Sequence, residues 1–409
     1  MLNLLWLGFF VTAFLTALVQ WLFLGNADIF SALMQALFDM AELSFEIALG
    51  LTGILCLWMG LLRIAESSGL VAKLASALSP LFSKLMPEVP QGHPALGHIT
   101  MNFAANIMGL DNAATPMGIK AMHSLQELNP DKSTASNAQI LFLVINTSSI
   151  TLFPIAIFMY RAQQGAADPT SVFLPILLAT CASTLVGILS VAYIQKLDLF
   201  NKIVGVYFGG FAIFIAAMLF LLFQLPKEEL ATTSSMVANL LLFSVIIFIL
   251  VNAHRKKLVV YEEFIEGAKG GFQLAITILP YLVAMLVAIG VFRASGLLDG
   301  LLFIIRESVE VIGGDTRFVE ALPTALMNPL SGSGARAMLI ETMNTYGVDS
   351  FAARAAAAVQ GSTETTFYVI AVYFGAVGVK RIRHTAGCGL LADAAGITTA
   401  IVVSYWFFG

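Results

Sequence analysis

The chain has 409 residues, of which 58% are hydrophobic and 11% are charged. Soluble proteins carry about 25% charged residues, so this chain has too few polar side chains to cover a water-soluble surface. The net charge of -4 is small, and the basic residues are scattered in short segments, which excludes a nucleic-acid-binding surface. Because apolar runs near 20 residues match a hydrocarbon layer of roughly 30 Å, we predict an all-α polytopic membrane protein.

Nine apolar segments have the length that a membrane-crossing helix needs. The first lacks the basic start of a signal peptide and exceeds the ~7–15 apolar residues of one, so it is predicted to span. The predicted spans are 2–24, 44–64, 136–160, 172–195, 203–224, 234–253, 273–293, 353–377 and 385–408. These segments predict extensive contact with the lipid bilayer.

The basic residues predict the orientation. With a cytoplasmic N-terminus, the inner side receives fourteen Lys and Arg residues, including 255–257 and 380–383, and the outer side receives seven, including Arg336. This asymmetry follows the positive-inside rule. We therefore expect an inner-membrane protein whose N-terminus is cytoplasmic and whose C-terminus, after nine crossings, lies outside.

Two stretches fit none of these spans. Residues 93–123 and 316–346 each contain two short apolar halves around a break rich in Gly, Asn, Pro or Ser. A half of about 12 residues is too short to cross the bilayer, so each stretch predicts a re-entrant helical hairpin. The tip of such a hairpin is tolerated only where it lines a cavity or is buried in protein.

The two hairpins belong to an internal repeat with an offset of 216 residues. Lys120-Ala-Met matches Arg336-Ala-Met, and the polar cluster 146–151 falls opposite 362–366. Two unmatched helices separate repeats of three crossings each, so the second repeat is inverted relative to the first. The predicted units are 1–40 (first helix and linker), 41–200 (repeat 1), 201–258 (two linking helices) and 259–409 (repeat 2).

The hairpin tips supply the first candidate site residues. Asp111, at the first tip, is a carboxylate whose burial is costly unless it is paired or solvated, and its alternative role is to cap the helix that follows. Residues 328–334 (NPLSGSG) form the opposite tip, which would offer backbone amides and freed carbonyls to a ligand. The same seven residues would also suit a surface turn.

The interrupted helices supply the other candidate site residues. The polar residues 146–151 cannot all share one helical face unless the helix unwinds there, although Ser and Thr are often structural in membrane helices. Glu364, in the matching cluster of repeat 2, is the leading candidate, because a buried acid can hold Na⁺, carry a proton or bind a cationic or hydroxyl-bearing solute. Asp393 in the last span either joins this site or satisfies a neighbouring helix.

Enzyme signatures are missing. The sequence has no GxSxG, HExxH or GxxxxGK[ST] motif, so we expect no catalytic site and no nucleotide-driven pump. The three cysteines lie far apart in apolar segments, and His93, His98 and His123 show no metal-binding spacing, so no cofactor or resident metal centre is expected. Energy coupling would then come from an ion gradient, of Na⁺ or H⁺.

The hairpin motifs resemble those of a known family. Residues 1 to about 200, with GHPALGHITMNFAANIMGLDNAATPMGIKAM, resemble spore maturation protein A, and residues from about 260 to 409, with ALPTALMNPLSGSGARAM and QGSTETTFYVIAVYFGAVGVKRIRHTAG, resemble spore maturation protein B. The chain thus resembles a fusion of the two, within the nucleoside-recognition or Gate domain superfamily. That superfamily also includes concentrative nucleoside transporters and a segment of ferrous-iron transport protein B.

The resemblance implies the fold and the site of concentrative nucleoside transporters, in which hairpin tips and unwound helices hold the nucleoside and Na⁺. Carried onto matching positions, it implies a substrate- or ion-binding set. The set is Asp111, Asn112, Thr115, Asn146, Thr147, Ser148, Asn328, Ser331, Ser333, Ser362, Thr363 and Glu364. The first tip reads GLDNAATP rather than the glutamine-and-glutamate pattern of nucleoside carriers, so the substrate is not fixed by the resemblance.

The sequence therefore favours an ion-coupled secondary transporter of a small polar organic solute, such as a nucleoside, an amino acid or a small peptide. The alternative is a non-transporting membrane component of cell-envelope or spore maturation that acts through partner binding. Carriers of this shape often oligomerise, so a homo-oligomer is also expected.

Overall fold

The computed structural model describes residues 2–108, 111–148, 150–199 and 201–409. In these ranges the first half forms α1 (Leu2–Leu24), α2 (Ile29–Ser67), α3 (Leu70–Leu85), α4 (Pro94–Ile107), α5 (Asp111–Leu128), α6 (Asn137–Thr147), α7 (Ile155–Gln163), α8 (Phe173–Gln195), α9 (Lys202–Phe223) and α10 (Lys227–Arg255). The second half forms α11 (Val260–Ala294), α12 (Leu297–Val311), a 3₁₀ turn (Val319–Ala321), α13 (Leu322–Met327), α14 (Gly332–Tyr346), α15 (Phe351–Gln360), α16 (Thr366–Val377) and α17 (Thr385–Phe408).

Within the described residues, seven helices are long and apolar enough to cross a membrane: α1, α2, α8, α9, α10, α11 and α17. They coincide with seven of the nine predicted spans, and the protein is a multi-pass, all-helical membrane protein. The other two predicted spans, 136–160 and 353–377, are each split into two short helices, α6 with α7 and α15 with α16.

The second helix begins earlier than the predicted span 44–64. It starts at Ile29, so the segment that the sequence assigned to a linker is helical. Ile29 and Leu33 pack with Val287 and Val291 of α11 in an apolar cluster that also includes residues of α1. This tertiary packing stabilises residues 29–43 as part of α2, although length and hydropathy alone predicted a helix that begins at residue 44.

The two repeats show the same order of elements. In each, a long helix ends at a glycine, an amphipathic helix follows, and then come a helix pair, a split helix and a final long helix. The two glycines, Gly69 and Gly296, precede α3 and α12 with φ of 71° and 75°, a left-handed conformation that residues with a Cβ seldom adopt. The structure therefore repeats the local turn geometry along with the sequence pattern.

The first long helices of the two repeats, α2 and α11, pack against each other in opposite directions. Gly271 approaches Cys56 so closely that an added Cβ would lie 2.6 Å from its backbone, and an added Cβ on Gly290 would lie 2.3 Å from Met40. Later residues of α11 thus meet earlier residues of α2, which makes the pair antiparallel. Small residues allow such close backbone approach between apolar helices.

The last long helices, α8 and α17, pair in the same way. An added Cβ on Gly187 would lie 3.3 Å from Ala392, and one on Gly396 would lie 3.1 Å from Ser183. Equivalent helices of the two repeats are therefore antiparallel neighbours at two places. The remaining elements, the helix pairs and the split helices, lie between these pairs and carry the candidate site.

Candidate functional site

The split helix of repeat 1 ends where its polar side chains bond back to the preceding turn. Asn146 Nδ2 donates to Phe142 O at 2.8 Å, and the Ser148 hydroxyl donates to Val144 O at 2.8 Å. Such local bonds compete with the regular helical pattern. α6 ends at Thr147 and α7 starts only at Ile155, so the predicted interruption lies at the predicted polar cluster.

The end of α4 contacts this interruption. Asn106 Nδ2 donates to Asn146 Oδ1 at 2.9 Å, and the backbone N–H of Leu152 donates to Ile107 O at 3.2 Å. A residue beside the first predicted tip therefore lies against the unwound segment of its own repeat. The side chains of Asp111 and Asn112, at the start of α5, lie outside the described part of the structure.

Repeat 2 shows the equivalent arrangement. Asn328 Nδ2 donates to Thr363 Oγ1 at 2.9 Å, and the backbone N–H of Phe367 donates to Pro329 O at 3.0 Å. Ser331 caps α14 by accepting a bond of 3.1 Å from the N–H of Gly334. The tip between α13 and α14 is thus held against the interruption between α15 and α16.

The two interruptions also contact each other. The backbone N–H of Glu364 donates to Thr147 O at 2.8 Å, so the end of α6 and the unwound segment of repeat 2 are directly bonded. The Thr184 hydroxyl of α8 donates to Ser148 O at 2.6 Å and satisfies another freed carbonyl. Non-helical backbone from both halves of the chain therefore meets at one place, as the repeat predicted. Glu364 itself is exposed rather than buried as the sequence predicted, because its side chain faces a cavity.

A cavity of about 580 Å³ opens at this meeting point. This volume lies in the range of small-molecule sites, which is about 300–1,000 Å³. Its polar lining comes from both repeats and consists of Asn106, Thr115, Asn146, Ser331, Ser333, Arg336, Glu364, Thr365, Tyr368 and Tyr373, with Tyr281 from α11. Apolar residues of α11 and α16 complete the wall, among them Leu282 and Phe367.

A second, smaller cavity of about 80 Å³ adjoins the first. Arg336 and Glu364 line both cavities, so the two spaces share these charged side chains. Asn328, Thr363 and Thr151 line the smaller one. Both spaces lie at the split helices, and they differ in size.

The predicted residues fall into three groups. Thr115, Asn146, Ser331, Ser333 and Glu364 line the larger cavity, and Asn328 and Thr363 line the smaller one. Thr147, Ser148 and Ser362 are buried, and their hydroxyls donate to backbone carbonyls of the preceding turn. The third group, Asp111 and Asn112, cannot be placed by side chain.

Arg336 is the main cavity residue that sequence reasoning missed. It was counted among the outer basic residues, but it lies in the second turn of α14, next to the tip, and lines both cavities. The sequence did contain a signal for this position. Arg336 matches Lys120 in the repeat, and Lys120 follows the first tip, so Arg336 should follow the second tip. With Glu364, it gives the cavity one basic and one acidic side chain.

The histidines before the first hairpin have local structural partners. His93 caps α4, its Nδ1 accepting from the N–H of Ala95 at 3.2 Å. His98 Nδ1 lies 3.0 Å from the Ser124 hydroxyl and so ties α4 to α5. Both side chains therefore have a local structural role at the first helix pair.

Comparison with known proteins supports the repeat. The model of the Gate family, described as nucleoside recognition, matches residues 48–163 and 275–380, together more than half of the chain. Spore maturation protein B of Bacillus subtilis (strain 168) is 42% identical over 181 residues, which are 44% of this chain and 95% of that protein. Spore maturation protein A of the same organism is 44% identical over 149 residues, which are 36% of this chain and 76% of that protein.

The two family matches fall on the two repeats, and each contains a tip and an interruption of the site described above. The similarity to two separate proteins, each over less than half of this chain, is consistent with a fusion. This chain is therefore a member of the Gate, or nucleoside recognition, family in which regions related to spore maturation proteins A and B are joined.

Proposed function

We propose that the protein is an ion-coupled secondary transporter of a small polar organic solute, with the larger cavity as its binding site. The observation that carries the proposal is the cavity of about 580 Å³ at the meeting point of two interrupted helices from antiparallel repeats. Inverted repeats with broken helices that meet at a central site are the recurrent design of secondary transporters.

In this proposal, α4 with α5 and α13 with α14 act as re-entrant hairpins whose tips enter the membrane from opposite sides. α13 has only six residues and α4 only fourteen, so neither has the length of a normal span. The contacts of Asn106 with Asn146 and of Asn328 with Thr363 support it, because each tip is bonded to the interruption of its own repeat. Movement of one tip would open the cavity to one side only.

The residues that line the larger cavity favour a solute that carries an acidic group together with a basic or a hydroxyl group. Arg336 can bind a carboxylate through two parallel N–H bonds, and Glu364 can accept from an ammonium or a hydroxyl group. Ser331, Ser333 and Asn146 add neutral donors and acceptors. An amino acid or small peptide uses both charges, whereas a nucleoside would use mainly Glu364 and the neutral groups.

The test is uptake into proteoliposomes with an imposed Na⁺ or H⁺ gradient, for a panel of amino acids, dipeptides and nucleosides. We expect Glu364→Gln to lower uptake of the transported solute at least about tenfold, because a hydrogen bond to a charged group contributes ~1.5–3 kcal/mol. Glu310→Gln changes the same side chain on the exposed surface of α12 and should leave uptake unchanged. Equal uptake by all three proteins would contradict the proposed site.

The printed names of the two relatives favour a second candidate, a membrane component of cell-envelope or spore maturation that acts through a protein partner. This candidate predicts that no solute in the panel is taken up or raises the melting temperature. Solute-dependent stabilisation that Glu364→Gln abolishes would decide for the transporter.

A further inference from the structure

The last helix carries a buried carboxylate that belongs to neither cavity. Asp393, in the middle of α17, is 1% exposed, and its Oδ2 accepts a bond of 2.7 Å from the Thr366 hydroxyl. Its Oδ1 has no hydrogen-bond partner. Among the side chains that the structure describes, no Lys, Arg or His forms an ion pair with Asp393.

An ionised carboxylate in this position is incompletely satisfied. Burial of a charge costs several kcal/mol unless partners or a counter-ion compensate it. Proteins keep a buried charge despite this cost mainly where the charge has a function, above all within a membrane-crossing helix. Asp393 therefore needs a neutralising partner that the described side chains do not provide.

Residues that carry hydroxyl or carbonyl oxygens pack against α17 near Asp393. One turn further along α17, an added Cβ on Gly396 would lie 2.7 Å from Thr363 Cγ2, 3.1 Å from Ser183 Cβ and 3.3 Å from Ser362 O. This close approach holds α17 against the interruption of repeat 2. The Ser362 carbonyl is at the end of α15, where regular helical bonding stops.

A second unsatisfied oxygen lies in the same place. Ser183 of α8 is fully buried, and its hydroxyl has no hydrogen-bond partner. Two buried oxygen atoms without partners, Asp393 Oδ1 and the Ser183 hydroxyl, on two helices that are packed through Gly396, are rare in a well-packed interior. Their coincidence indicates that something else bonds to both.

We propose that Asp393, Ser183, Thr363 and Thr366 bind a dehydrated Na⁺ ion, with the Ser362 carbonyl as a further ligand. Hard cations prefer carboxylate, hydroxyl and carbonyl oxygens, which are the groups present. A single positive charge balances one carboxylate, whereas a divalent ion would leave a net charge buried. Asp393 lines neither cavity, so this ion site would be separate from the proposed solute site.

This ion would contact the solute site through Thr363. Its hydroxyl oxygen accepts from Asn328 of the second tip at 2.9 Å, and the next residue is Glu364. Ion binding would therefore restrain the tip and the acidic side chain of the cavity together. This link to transport rests on the proposed function, whereas the ion site itself does not.

The test is the melting temperature of the purified full-length protein in detergent as NaCl replaces choline chloride at constant ionic strength. We expect a saturable rise for the wild type and a much smaller rise with KCl. Asp393→Asn should abolish the rise, and Ser183→Ala, which leaves the carboxylate in place, should raise the Na⁺ midpoint severalfold. Size-exclusion chromatography and circular dichroism would verify that both variants are folded.

The matched control is Glu310→Gln, which changes an exposed acid of α12 and should keep the Na⁺-dependent rise, while Glu364→Gln shows whether the cavity acid binds the ion instead. A rise that survives Asp393→Asn, or that depends on Glu364 instead, would overturn the site. So would a wild-type melting temperature that responds to pH but not to Na⁺, since a proton would then neutralise Asp393. A Na⁺-dependent rise without stabilisation by any solute supports the ion site and counts against the proposed function.

Discussion

At the scale of single residues, Arg161 at the end of α7 links the two repeats. Its side chain is fully buried. It donates to Val348 O at 2.9 Å, to Pro169 O at 3.2 Å and to Asp349 Oδ1 at 2.9 Å. Asp349 also accepts from the N–H of Ala167 at 2.9 Å. One side chain thus satisfies carbonyls in loops from both halves of the chain.

We expect Arg161→Met to lower the free energy of unfolding by about 3 kcal/mol, because it removes one donor from Asp349 and leaves the Val348 and Pro169 carbonyls without theirs. The measurement is denaturant unfolding in detergent micelles. Lys269→Met is the control, since Lys269 and Glu266 form an exposed pair whose loss should cost under about 1 kcal/mol. Similar losses for both variants would show that the buried network contributes little.

At the scale of elements, the contact between α2 and α11 depends on glycines. An added Cβ on Gly271 would lie 2.6 Å from the Cys56 backbone, and one on Gly267 would lie 2.5 Å from Met59 O. Because backbone atoms cannot move aside as a flexible side chain can, any larger residue must push the helices apart. One of these helices, α11, forms part of the wall of the site, since its Leu282 lines the larger cavity.

Gly271→Ala should therefore destabilise the protein by about 1–3 kcal/mol through overpacking, visible as a lower melting temperature. Gly209→Ala makes the same change in α9, where an added Cβ meets nothing within 4 Å. That control should be neutral or slightly stabilising, because alanine favours a helix over glycine by roughly 0.5–1 kcal/mol. A lower melting temperature for Gly209→Ala alone would contradict this account of the packing.

At the scale of the whole molecule, the two ends of the long helix α11 should face opposite sides of the membrane. Gln20, near the end of α1, donates to Ser295 O at 2.7 Å, so the turn that contains Ala27 lies at the C-terminal end of α11. Glu262 lies in the first turn of α11, at the other end. The basic-residue asymmetry predicts that the Glu262 end is cytoplasmic.

This orientation can be tested with single cysteines in a variant that lacks Cys56, Cys181 and Cys388. On intact cells, a membrane-impermeant thiol reagent should label Ala27→Cys and should label Glu262→Cys only after permeabilisation. Both positions are exposed, so a difference in labelling would report the side of the membrane rather than burial. The reverse pattern would show that the N-terminus lies outside.

The sequence by itself determined the class of protein, the repeat and the positions of both interruptions, because these depend on local composition and on a constant offset. Apolar runs must be helical in lipid, and the polar cluster around Asn146 and Thr147 offers side-chain bonds that compete with the helix. It also identified Glu364 as a cavity residue, since that carboxylate falls at the second interruption.

Only the tertiary structure decided which polar residues share a cavity and which helices pack closely. Arg336 lines the cavity because α14 starts at the tip, and Ser183 packs against Gly396, one turn from Asp393, because that glycine lets α17 approach α8. The start of α2 at Ile29 likewise depends on packing against α11. Such contacts join residues that are far apart in the chain, and hydropathy and local propensity carry no information about them.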